Sequence, residues 1–111
     1  MEESQLIRKE YNIGVPNESF SNYVSFFVNN LRLYGDVTIH AKNKLYKRII
    51  KFRKDNKKYS IIMEEKSRNK GRNIINISLR DNSSTRSELS WMLQKVENIL
   101  KEMFPKMKCL K

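Results

Sequence analysis

The sequence predicts one α/β domain of the α+β sandwich kind, ordered β-α-β-α-β-β with an additional C-terminal helix. Three observations carry that prediction. Apolar residues alternate with polar ones over 6–15, 36–41, 59–66 and 73–80, the period of a strand with one buried face. They recur at helical spacing over 20–34, 44–56 and 89–103. The length of 111 residues leaves room for one core, which an apolar fraction of 39% can fill.

In chain order, LIRKEYNIGV at 6–15 reads as a short strand ended by Gly14 and Pro16. Asn17 or Ser19 then offers a helix cap. Phe20, Tyr23, Val24, Phe27, Val28, Leu31 and Tyr34 form a helical core stripe closed by Gly35. DVTIHA at 36–41 is a strand with Val37, Ile39 and Ala41 on one face. KLYKRIIKFRKDN at 44–56 has two readings. As a helix it places Leu45, Ile49 and Phe52 on one face and Lys44, Lys47, Lys51 and Lys54 on another, with Arg48 beside them. As a strand it alternates Ile50 and Phe52 with Lys51 and Arg53, but Ile49 breaks the pattern, and the helix is preferred. Tyr59, Ile61 and Met63, then Ile75, Ile77 and Leu79, alternate around KSRNKGR, a hairpin with a long basic loop. Thr85-x-x-Glu88 is a capping box that opens a helix running to Pro105.

The formal net charge is +11. The block 42–80 holds fourteen Lys or Arg against three acids, and the remainder carries nine of each sign, so this block supplies the whole excess. Such one-sidedness costs stability by self-repulsion and points to a polyanion as partner, nucleic acid before an acidic membrane or protein. The expected contacts are Lys42, Lys44, Lys47, Arg48 and Lys51 as a body, with Lys66, Arg68, Lys70 and Arg72 as an arm. The bland alternative is a solvated lysine face. Most of the cations are Lys, a point charge, and bidentate base contacts call more often for Arg, so weak sequence preference is expected.

Several of these residues, in this order, resemble the Alba family of DNA/RNA-binding proteins. The matching features are Ile13-Gly14, Pro16, Asn22-Tyr23-Val24, Gly35, and Val37, Ile39 and Ala41, with Lys42-Asn43-Lys44 in place of the family's basic turn. The resemblance covers about 6–80 and implies a β-α-β-α-β-β core that dimerises and lays two hairpin arms along a duplex, as chromatin or ribonucleoprotein components do. On that division 1–80 is the nucleic-acid-binding core, and 81–111 is a helix and basic tail on the same domain. Two departures stand out: Glu18 lies where the family carries a Lys pair, and the 85–104 helix has no counterpart. That helix could cover the sheet, extend a dimer interface or bind a partner protein. A second resemblance, to the PUR and PC4 single-stranded nucleic-acid binders, requires 46–54 to be a strand and accounts better for the last helix.

The chemistry of an enzyme is not visible. His40 is the only histidine, Cys109 the only cysteine, and adjacent Glu64 and Glu65 on a strand leave opposite faces. No Walker loop or zinc-finger spacing occurs, so no cofactor or metal is expected. A lone cysteine suits a reducing compartment. MEESQLIRKE has neither a signal peptide's apolar run nor a transit peptide's composition, and no stretch is long enough to span a bilayer. An intracellular location, cytoplasmic or nuclear/nucleoid, follows as the expectation. A membrane-surface role would need 44–57 to be an amphipathic helix with its apolar face exposed.

Overall fold

Alternating residues in the middle of the chain build the middle of the sheet. A computed structural model describes residues 5–14, 19–40, 46–69, 72–81 and 86–110. The elements are β1 (Gln5–Asn12), α1 (Phe20–Leu31), β2 (Asp36–Ile39), β3 (Lys47–Lys54), β4 (Lys57–Asn69), β5 (Arg72–Asp81), α2 (Arg86–Met103) and β6 (Lys108–Cys109). The strands form one six-stranded sheet in the order β2-β3-β4-β5-β1-β6, with antiparallel pairings throughout. The architecture is therefore α+β, with both helices on one face.

The register explains the core. Ile50 opposes Ile61, Phe52 opposes Tyr59, Met63 opposes Ile77, Ile61 opposes Leu79, and Tyr11 opposes Ile75. All of these are buried, and they meet Tyr23, Val24, Phe27, Val28 and Leu31 from α1 and Leu89, Met92, Val96, Ile99 and Leu100 from α2. Each fully buried aliphatic or aromatic side chain stabilises the fold by about 1.5–3 kcal/mol. Ser19 caps α1 by accepting from the Asn22 amide at 3.3 Å. Gly35 passes so close to β3 that a Cβ there would lie 2.7 Å from the Arg53 carbonyl oxygen and 2.8 Å from the Phe52 ring. Thr85 lies outside the described residues, so its capping box does too. Its Glu88 stands in the first turn of α2 and pairs with Lys57.

Two expectations are corrected. The helix expected over 44–56 is not formed by its described residues: 47–54 form β3, and Asp55 and Asn56, at φ 53° and 66°, make the tight two-residue turn into β4. The element order is thus β-α-β-β-β-β-α-β, and the second helix of the β-α-β-α-β-β arrangement is replaced by a strand. Ile49 misleads because it is apolar on the face away from the helices, where it pairs with Ile62 across the ladder. The second correction concerns KSRNKGR, which is largely ladder and not loop. Strands β4 and β5 stay paired out to Asn69 and Arg72, past a bulge between Glu65 and Ser67.

The apolar stripe of α2 is buried against the sheet, so of its three possible uses, covering the sheet is the one found. No helix among the described residues is long and apolar enough to cross a membrane. The amphipathic basic helix required for a membrane-surface role is not formed.

Candidate nucleic-acid interface

Helices cover one face of the sheet, and no described element covers the other. Alternation sends Lys47, Ile49, Lys51 and Arg53 of β3 to that open face, and register adds their partners. One cross-strand row runs Thr38, Lys51, Ser60, Arg80, Leu6. The next runs Ile49, Ile62, Ser78, Arg8, and the one beyond it Lys47, Glu64, Asn76, Glu10. Asp36, Arg53 and Lys58 line up at one end, and Asn12 and Lys108 meet at the other.

Charge is distributed unevenly between the layers. The open face carries Arg8, Lys47, Lys51, Arg53, Lys58, Arg80 and Lys108 against Glu10, Asp36 and Glu64 among the described residues. The helices themselves are neutral, α1 with no charged residue and α2 with three of each sign, while the helix-facing side of the sheet adds Lys9, Arg48, Lys54 and Lys57 against Glu65 among the described residues. Hydroxyls and one carboxylate space the cations. Lys51 Nζ donates to Ser60 Oγ at 2.8 Å, Arg8 Nε to Ser78 Oγ at 3.4 Å, and Arg53 Nη2 reaches Asp36 Oδ2 at 3.5 Å. Lys51, Arg53 and Lys58 converge with Thr38 and Asp36 on a hollow of about 510 Å³. Three cations against one carboxylate around one concavity leave an excess of positive charge there, which attracts anions.

The expected contact residues divide. Lys47 and Lys51 share the open face, but Arg48 points to the helix side. There its guanidinium sits 5.2 Å from the Phe20 ring centroid and donates to Ser21 Oγ at 2.9 Å, tying β3 to the start of α1. The helical grouping of Lys47, Arg48 and Lys51 is therefore corrected, because a strand's period of two separates neighbours that a helix would gather. Lys66 is exposed at the bulge where the β4–β5 hairpin outruns its neighbours. Arg68 and Arg72 belong to the paired extension of that hairpin. Lys42, Lys44 and Lys70 lie outside the described residues. Arg8 and Lys108 come from outside the basic block, and Arg53, Lys58 and Arg80 were not among the expected contacts. The period of β3 could have found Arg53; the β1–β5 and β1–β6 pairings that bring in Arg8 and Lys108 are long-range.

The remaining candidates sit apart. His40 is exposed beyond β2, with its amide donating to the Ile49 carbonyl at 2.9 Å. Cys109 is exposed on β6. Glu64 is on the open face, while Glu65 is buried and accepts from the Tyr23 hydroxyl at 2.6 Å. No family model matches this chain, and no curated relative is found.

Proposed function

We propose that this protein is a non-enzymatic nucleic-acid-binding protein. It grips the phosphate backbone with the open face of its sheet and the β4–β5 arm, with little sequence preference. The observation that carries this reading is the charge of the open face, seven cations against three acids among the described residues on a surface that no described element covers. A solvated surface has no need of such an excess, whereas a polyanion is attracted by it. Lys and Arg spaced by Ser, Thr and Asn suit phosphate oxygens. The central Ile49 and Ile62 offer apolar contact that carries no base code.

The strand at 47–54 satisfies the condition set by the PUR and PC4 resemblance, that of single-stranded binders, and so favours it over the Alba arrangement. A homodimer would double the cationic surface and raise the affinity for a long polyanion by effective concentration.

The test is a salt titration. Engagement of about six to eight phosphates gives a log–log slope of roughly −5 to −7. Replacing Lys51, Lys58 and Arg80 with Gln should flatten it by about 3 and weaken binding alike for unrelated sequences. An unchanged slope would refute the open-face assignment.

A further inference from the structure

On the helix side of the β3–β4 turn, Trp91 of α2 is exposed to 40%, although it is the chain's only tryptophan and a large apolar ring. Lys54 Nζ lies 5.0 Å from its ring centroid and Lys95 Nζ 5.5 Å. Lys95 also sits 5.4 Å from the ring of Tyr34, itself 40% exposed. Cation–ring contacts of consequence occur about once per 70–80 residues. Three of the four found among the described residues fall on this one patch. Beside the ring is a hollow of about 380 Å³ lined by Lys54, Asp55, Lys57, Tyr59, Glu88 and Trp91.

The two hollows are joined by the chain itself. Arg53 and Lys54 are consecutive, as are Lys57 and Lys58, and successive strand residues point to opposite faces. Arg53 and Lys58 therefore serve the open face, while Lys54 and Lys57 serve the Trp91 side. Cations thus straddle the β3–β4 turn. The open face has no aromatic residue among the described positions, so it can hold phosphates but cannot stack a base. Trp91 supplies what it lacks.

We infer that Trp91 is a stacking platform for an unpaired base of single-stranded nucleic acid, whose neighbouring phosphates are held by Lys54 and Lys95 and, round the hairpin end, by Arg53 and Lys58. Base-on-aromatic stacking accepts any base, in keeping with weak sequence preference. A duplex keeps its bases stacked inside and offers the ring nothing. This rests on the proposed function and narrows its ligand to strands with unpaired bases.

Because Trp91 is the sole tryptophan, its emission reports on this site alone. The experiment titrates the full chain with an oligo-dT strand of about 12 nucleotides and with the same strand annealed to its complement. Trp91 fluorescence is followed alongside the anisotropy of an end-labelled strand. The single strand should quench Trp91 in step with the anisotropy, and the duplex should bind with little quenching. Trp91→Leu should weaken single-strand binding about tenfold, leave duplex binding unchanged and retain the far-UV spectrum, while Trp91→Phe recovers most of the loss. If the strand binds by anisotropy but Trp91 emission does not move and Trp91→Leu binds equally well, the platform is wrong and the nucleic-acid reading stands. If no strand or duplex changes the anisotropy, both are wrong.

Discussion

Arg53 on β3 stands directly opposite Lys58 on β4, and the next pair toward the turn, Lys54 and Lys57, again sets cation against cation. Like charges directly opposed in a ladder destabilise it. Two such pairs in succession mark a place where the sequence departs from what folding alone favours. Asp36 partly offsets Arg53, and Glu88 pairs with Lys57, one on each side of the sheet. This is the end of the sheet where the hollow lined by Lys51, Arg53 and Lys58 and the Trp91 patch meet.

Stability and binding should accordingly move in opposite directions at Lys58. Lys58→Thr removes the repulsion on Arg53 and places a good strand former in the ladder, so urea denaturation should show a gain of about 0.5 kcal/mol. The same change should weaken nucleic-acid binding and flatten the salt slope by about 1. A variant that loses both stability and affinity would mean that Lys58 serves the fold and not a ligand.

Gly35 tests the packing of the β2 edge on β3. Any Cβ there meets the Arg53 carbonyl and the ring of Phe52, which is 1% exposed within the core. Neither neighbour can swing away, so Gly35→Ala should destabilise the fold by about 1–3 kcal/mol. A shift of the urea midpoint at constant slope is the expected reading. An unchanged midpoint would place β2 farther from β3 than described.

The hairpin extension gives a prediction independent of the open face. Converting Lys66, Arg68, Lys70 and Arg72 to Ala should flatten the salt slope by about 3–4 and weaken binding to unrelated sequences by similar factors. The stability of the domain should change little, because Lys66 is exposed and the extension outruns the core. If the slope holds, the arm makes no phosphate contact.

The sequence carried the two helices and the β4–β5 pair because each keeps its period: Phe20 to Leu31, Leu89 to Leu100, and the alternating Ile75, Ile77 and Leu79. It misled at β3, where Ile49 is apolar on the uncovered face and so mimics a helical stripe. The Asp55-Asn56 pair held the missing information, since both residues tolerate positive φ and two of them between apolar runs signal a tight hairpin. The candidate interface was only partly legible for a different reason. A linear charge count finds Lys47 and Lys51, but Arg8 and Lys108 join them through pairings between segments far apart in the chain. Trp91 falls off the stripe of Leu89, Met92, Val96 and Leu100, so the helical period leaves it outside the core, but only the fold brings Lys54 of β3 to its ring.

Tyr11 and Glu97 contribute to the alkaline limb of stability. The Tyr11 ring is fully buried, and its hydroxyl donates to Glu97 Oε1 at 2.7 Å. Burial first, and then the hydrogen bond and charge of Glu97, push the phenol well above its ordinary value of 10.0. The folded protein therefore keeps a proton that the unfolded chain surrenders above about pH 10. The stabilisation is fully present below that pH and is lost as the pH rises beyond it, at up to about 1.4 kcal/mol per pH unit. Tyr11→Phe forfeits the hydrogen bond, about 1 kcal/mol at neutral pH, but has no phenol to ionise. In urea denaturation from about pH 8 to about pH 11, the advantage of the natural protein over Tyr11→Phe should stay constant up to about pH 10 and shrink beyond it. Curves that remain parallel through the alkaline range would show that the phenol titrates alike in the folded and unfolded chains, and that the Glu97 contact does not hold its proton.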